Sequence, residues 1–192
     1  MRLFVAIAPP EPVLAGLEAE LAPLRPGWPG LRWTGPEAWH VTLAFLGEVS
    51  DTALPELRTR LGRAARRHDA PVLSVAGAGA FPSPRFARVL WAGIAAGPSG
   101  GAALAALARS VAAGARRAGA PPPEEGRRYR PHLTLARCRL PADVRPLAAA
   151  LAAYAGPAWT AGEIHLISSR PAPGEGPPRY ATEGTWPLRR RS

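Results

Sequence analysis

The sequence predicts an α+β fold of two similar αβ lobes with mixed or antiparallel sheets, related by an approximate two-fold axis about a central cleft. Three observations carry this. The order strand, helix, strand, helix, strand is read twice along the chain, at an offset of about 90 residues. The same pattern, H-x-T-L, falls on the middle strand of each repeat, at His40-Val41-Thr42-Leu43 and His132-Leu133-Thr134-Leu135. The chain has 192 residues and a hydrophobic share of 47%, enough for one core but little for two independent ones. One bilobal domain over residues 1–192, with repeat halves 1–87 and 88–192, is the expected organisation.

In the first half, Arg2 to Ala8 reads as a buried strand. Glu11 to Leu24 follows as a helix with Val13, Leu14, Leu17, Leu21 and Leu24 on one face. Arg25 to Gly30 carries the proline and glycine of a loop. Trp39 to Leu46 is a strand closed by Gly47, and Asp51 is the expected N-cap of a helix running to Arg67. Pro71 to Ala78 is the third strand. The second half repeats this with a strand at Arg88 to Ala95, a helix at Gly101 to Ala118 and a strand at His132 to Arg137. A helix at Ala142 to Tyr154 and a strand at Glu163 to Ser169 complete it. Tyr180 to Leu188 is a closing strand. Ser83 to Phe86, Pro121 to Pro123 and Ala172 to Arg179 are loops.

Composition removes several function classes. The single cysteine, Cys138, forms no internal disulfide and no C-x-x-C zinc pair, so a reducing, cytoplasmic location is expected. The apolar start ends at Pro9-Pro10, too short for a signal peptide or a membrane span. The net charge is +10 and every cation is arginine. With no lysine there is no Walker-type P-loop, pyridoxal Schiff base or lysyl-adenylate ligase chemistry. Arginine grips phosphate in a bidentate fork, which suits an anionic partner. GC-rich coding bias would produce the same surplus.

The two motifs are the sharp signal. On a strand, residues i and i+2 share a face, so His40 with Thr42, and His132 with Thr134, point one way while the apolar residues point to a core. If the lobes are two-fold related, both pairs meet in one cleft. One imidazole can then take a proton from an attacking water or hydroxyl and the other can give one to the departing oxygen of a phosphodiester. Threonine hydroxyls can donate to the non-bridging phosphate oxygens. A lone H-x-T is more often structural; the repeat at matching places makes the pair informative. No metal or cofactor is needed, and no ligand cluster is visible.

Weaker candidates surround these. Arg130 could clamp phosphate, and Arg137 is a further candidate to contact it. Trp39, Phe45, Phe81, Trp91 and Tyr129 are candidates to stack on a base; Phe45 and Tyr129, with Arg130, form the expected substrate-binding set. His68, at a helix C-terminus, suits a surface role. His165 reads as a strand residue whose side chain could approach the cleft.

Taken together, these segments resemble the two-histidine phosphoesterase superfamily, and within it the bacterial RNA 2′,3′-cyclic phosphodiesterases, also labelled 2′-5′ RNA ligases. The likeness runs through Met1 to Ile7, Leu31 to Trp33 with His40 to Gly47, Phe81 to Pro84, Val89 to Gly93, Arg130 to Arg137, Ile164 to Ser169, Gly176 to Tyr180 and Trp186 to Leu188. It implies hydrolysis of a 2′,3′-cyclic phosphate at an RNA end, tRNA fragments among the candidates, to a 2′-phosphomonoester. It also implies His40 as proton donor to the leaving 3′ oxygen and His132 as the acceptor that activates water. The ligase label implies the joining of a cyclic phosphate to a 5′-hydroxyl, without an adenylate. A monomer without cofactor or membrane contact is expected. Two alternatives stand beside this: a phosphodiesterase of small cyclic nucleotides, and an RNA-binding module whose chemistry is vestigial.

Overall fold

The computed structural model describes residues 1–97, 100–120, 129–171 and 178–190. The expected Pro121–Pro123 loop, and residues 172–177 of the loop before Arg179, lie outside them. The elements in chain order are β1 (Arg2–Ile7), α1 (Glu11–Leu21), β2 (Leu31–Trp33), β3 (Val41–Glu48), α2 (Leu54–Ala65) and β4 (Val72–Phe81). They continue with β5 (Ala87–Ala96), α3 (Gly100–Arg117), β6 (His132–Ala142), α4 (Arg145–Ala150), β7 (Trp159–Thr160), β8 (Glu163–Arg170) and β9 (Arg179–Pro187).

Two antiparallel sheets form from these strands, in the orders β3-β1-β8-β9 and β2-β6-β5-β4-β7. The two correspond to one another: β1 matches β5 as opening strand, β3 matches β6 as motif strand, and β8 matches β4 as third strand. That third strand is exchanged. β4, from the first half, pairs with β5, and β8, from the second, pairs with β1. The helices follow the same exchange. α1, which leaves β1, packs on β4, whereas α3, which leaves β5, packs on β3.

Alternation places one face of each sheet in a shared core. Leu3, Val5, Ile7, Val41, Leu43, Ile164 and Leu166 fill it from the first sheet, and Leu73, Val75, Leu90, Leu133 and Leu135 from the second. Leu57 and Leu61 of α2 and Leu104, Leu107 and Val111 of α3 cover the first sheet. The opposite face of that sheet carries a separate small cluster, Phe4, Ala6 and Ile167 with Tyr180 against it. His40 lies against this cluster, edge-on to Phe4 and Tyr180.

Each motif strand contains a β-bulge at the same place. Val5 pairs with Ala44 and Ala6 with Thr42, so Leu43 is passed over. Leu90 pairs with Ala136 and Trp91 with Thr134, so Leu135 is passed over. An extra residue in one strand bends it and raises its local twist, re-aiming neighbouring side chains. A second register shift in β3 lies near Gly47, whose φ of 65° is open to glycine without strain.

Several boundaries differ from expectation for local reasons. α1 stops at Leu21 rather than Leu24, and Arg25–Gly27 forms a 3₁₀ turn; Pro23, directly after the C-cap Ala22, has no amide hydrogen to continue the helix. α2 is capped by Ala53, not Asp51, because Pro55 fixes its first turn. β6 runs on to Ala142, paired with Ala87, and α4 is confined to Arg145–Ala150. There Pro146 sets the helix start, and the Asp143 carboxylate accepts a bond of 3.1 Å from the Arg145 amide. The short strands β2 and β7 have no counterpart among the expected elements.

Leu61 is fully buried at the contact of α2 with the core. Leu61→Ala should cost about 2–5 kcal/mol of stability, measured by urea unfolding. A loss well under 1 kcal/mol would contradict this packing.

Candidate active site

Within each motif the alternation is as the strand geometry requires. Val41, Leu43, Leu133 and Leu135 are buried, while His40, Thr42, His132 and Thr134 are half-buried on the other face. His40 immediately precedes β3 and His132 opens β6. The strands β3 and β6 contact each other across the two sheets.

Hydrogen bonds join the two motifs directly. Tyr129, three residues before His132, donates its hydroxyl to the Thr42 carbonyl at 3.1 Å. Thr34, on the approach to the first motif, donates its hydroxyl to the Thr134 carbonyl at 2.6 Å, with the Leu135 carbonyl at 2.9 Å. Thr34 also accepts a bond of 3.1 Å from the indole Nε1 of Trp39, the residue before His40. β2 prepares this contact by pairing Trp33 with Ala136.

Each imidazole sits among aromatic rings. His40 lies edge-on to Phe4 and Tyr180, with ring centroids at 5.8 and 5.5 Å. His132 lies edge-on to Phe81 at 5.1 Å and beside Trp91 at 6.2 Å. Each ring is also tied to a carbonyl two residues back. The Ala38 carbonyl raises the His40 pKa, and Nδ1 of His132 lies 2.7 Å from the Arg130 oxygen. A carbonyl only accepts, so Nδ1 of His132 carries the hydrogen and Nε2 keeps its lone pair in the neutral ring.

Burial lowers the pKa of both histidines below 6.5, against the upward pull of those carbonyls. The charges differ between them. His132 feels the positive charges of Arg137 and Arg130, which lower it further, whereas the charge acting on His40 is that of His165. Arg137 also lies close enough to lower the Tyr180 phenol, which burial raises on balance. Arg137 therefore sits between the surroundings of the two imidazoles.

The other candidates fall as follows. Arg130 is exposed, its guanidinium 5.9 Å from the Phe81 ring centre. Phe45 is 59% exposed and lies 5.9 Å from Phe4. Tyr129 packs against the main core, burial pushes its phenol well up, and its hydroxyl is committed to Thr42. Trp39 is fully buried and offers no stacking face. His68 bonds Ser110 at 2.7 Å, away from the motifs. His165 shares a cross-strand row with Ala6 and Thr42, which puts it on the face that carries Phe4 and Ala6; its Nδ1 lies 3.1 Å from Thr185 Oγ1. Thr34, Phe4 and Tyr180 were missed by sequence reasoning, since no motif marks them. No group of three or more possible metal ligands occurs among the described residues.

Comparison with known proteins agrees with this arrangement. A family profile described as the 2′-5′ RNA ligase superfamily matches residues 12–172. The chain belongs to the 2′-5′ RNA ligase superfamily. An RNA 2′,3′-cyclic phosphodiesterase of Thermus thermophilus is 33% identical over 76% of this chain and 73% of its own length. One of Archaeoglobus fulgidus is 36% identical over 49% of this chain, and the match spans 52%, about half, of that relative. Among solved structures, TT0787 of Thermus thermophilus is similar over 100% of both chains, with a TM-score of 0.78 and 30% identity. Escherichia coli LigT in its apo form is similar over 97% of this chain and 96% of its own, with a TM-score of 0.74 and 28% identity. The α+β arrangement of two antiparallel sheets seen here matches these solved structures. Among the described residues, no helix is long and apolar enough to cross a membrane.

The lowered histidines set a pH dependence of stability. His40, His68 and His132 bind a proton less readily folded than unfolded. As pH falls below their ordinary value of 6.5, the unfolded chain takes up more protons, so stability declines towards the folded-state values. Over about pH 8 to about pH 5, the wild-type thermal midpoint should fall more than that of a His40→Gln, His132→Gln variant. Parallel curves would contradict the burial of these rings.

Proposed function

We propose that this protein hydrolyses the 2′,3′-cyclic phosphate at an RNA end to a 2′-phosphomonoester, by metal-independent acid–base catalysis through His40 and His132. The carrying observation is that two H-x-T-L motifs, one from each sheet, are bonded to one another through Thr34 and Tyr129. The relatives named RNA 2′,3′-cyclic phosphodiesterase support the reaction class. Solved structures of LigT with 3′-AMP and with phosphate support a nucleotide and phosphate ligand.

The electrostatic asymmetry supports the roles. A base must begin neutral, and His132, beside Arg130 and Arg137 with Nδ1–H held by a carbonyl, presents the Nε2 lone pair to a water. An acid must begin protonated and release readily; His40 has no arginine among the charges acting on it, and burial weakens its hold on the proton. His40 then donates to the leaving 3′ oxygen. Thr42 and Thr134 donate hydroxyl hydrogen bonds to the phosphate oxygens as their charge grows. Arg130 clamps the phosphate or the RNA backbone, and exposed Phe45 stacks on a base. Joining of the cyclic phosphate to a 5′-hydroxyl is the reverse of 2′-5′ cleavage at the same site. The protein acts as a cytoplasmic monomer.

With cyclic-phosphate RNA in EDTA, wild type should turn over, and His40→Ala and His132→Ala should each lose about 10²–10⁴ in rate. A nitrophenyl phosphodiester leaves without a proton, so it should largely rescue His40→Ala and leave His132→Ala slow. Rescue of His132→Ala instead reverses the roles. Full activity of both variants on RNA, or a need for added divalent metal, overturns the mechanism.

Binding of the same RNA should weaken with salt, because arginine–phosphate contacts release counterions. For Arg137→Gln the slope of log affinity on log salt should become shallower by about 0.7, read by fluorescence anisotropy. An unchanged slope removes Arg137 from the contact set.

A further inference from the structure

The bonds between the two motifs are reciprocal. Thr42 and Thr134 occupy the same place in each motif, and each carbonyl accepts a hydroxyl from the segment leading into the other motif. Both sit beside the passed-over leucine of a β-bulge, Leu43 in one strand and Leu135 in the other. Tyr129 reaches from the second motif to the first. Thr34 reaches from the first to the second, and through Trp39 Nε1 it also holds the residue next to His40.

The two donors are well placed to act as fixed struts. The Tyr129 ring is packed on the main core, so its hydroxyl is carried by a rigid lever. Thr34 is held by its backbone as well: its amide donates to the Leu135 carbonyl at 2.9 Å. Its one hydroxyl hydrogen is spent on Thr134, and its oxygen accepts from Trp39, which is fully buried. Neither group is free to swing towards solvent. The strands β3 and β6 belong to different sheets, and no strand ladder joins them directly. Tyr129 spans the joint between the sheets by its bond to Thr42, and Thr34, which extends the β2–β6 pairing onto Thr134 and Leu135, spans it by the bond it accepts from Trp39 beside His40.

We propose that Tyr129 and Thr34 are positioning residues, whose reciprocal hydroxyl bonds to the Thr42 and Thr134 carbonyls set the separation of the His40 and His132 imidazoles. This rests on the two-histidine reading above. An acid and a base acting on one phosphate must both be in place together, and misplacement of about 1 Å can cost about 100-fold in rate. A reaction that needs only one of them tolerates a change in their separation.

The test uses the full chain and two substrates: RNA with a 2′,3′-cyclic phosphate, and a nitrophenyl phosphodiester that leaves without a proton. Tyr129→Phe and Thr34→Val should each lower kcat on the RNA by about 10- to 100-fold, with KM little changed. On the nitrophenyl diester both should stay close to wild type. Thr34→Ser, which keeps the hydroxyl, should restore the RNA rate. Rates are taken per folded protein, with thermal unfolding as the check. Wild-type kcat on RNA in Tyr129→Phe and Thr34→Val overturns the proposal, as does an equal loss on both substrates, which would mark these residues as structural only. His40→Ala and His132→Ala in the same assay separate this from the mechanism. If those two keep RNA activity the two-histidine reading fails, and if they lose it while the strut variants do not, only the struts fail.

Discussion

The pairing of β1 with β8, and of β5 with β4, holds the two motif strands in one frame. Each sheet borrows its third strand from the other half of the chain, and α1 and α3, the helices that leave β1 and β5, cross to the opposite sheet. Separating the two halves of the chain would therefore mean breaking a ladder in both sheets, besides opening the core they share. That is why two motifs about 90 residues apart in sequence can be kept in a fixed relation. The bulges at Leu43 and Leu135 then work within this frame. They let a strand that is anchored by Leu in the core keep the preceding His and Thr half-buried on its opposite face.

Much of the site could be read from alternation alone. A period of two puts His and Thr on one face and the apolar residues on the other, and Val41, Leu43, Leu133 and Leu135 are buried accordingly. The order of the main elements was legible for the same reason. What periodicity cannot carry is partnership: it says which face of β4 or β8 is buried, and nothing of which strand lies alongside. The exchange of third strands was thus invisible. So were β2 and β7, whose three and two residues are too few to show a pattern. Thr34 has no local signature, since its importance comes from Thr134 and Leu135, about 100 residues away. Tyr129 stands out in the sequence as an aromatic beside the motif, but only the fold shows its ring in the core and its hydroxyl on Thr42. Helix ends were misjudged where prolines intervene, at Pro23, Pro55 and Pro146.

The surroundings of the two imidazoles show how a nearly symmetric scaffold yields unlike groups. Both rings are half-buried, both are held by a carbonyl two residues back, and both are hemmed by aromatic edges. Burial lowers each pKa. The difference comes from Arg130 and Arg137, which flank His132 and have no counterpart acting on His40. Whatever coding bias did to the arginine content as a whole, these two are placed where their charge distinguishes one histidine from the other.

Strand exchange also fixes an order of assembly during synthesis. The ladders of β4, β5 and β6 join neighbouring segments and can close once Ala142 has left the ribosome. β1 must wait for β8, which ends at Arg170. The first motif, although translated early, is thus framed last. Until then β1 pairs only with β3, and its other edge, carrying Leu3, Phe4 and Val5, is open to wrong partners. A nascent chain that has emerged past Ala142 but not as far as Glu163 has its second motif strand in place and its first still lacking a wall.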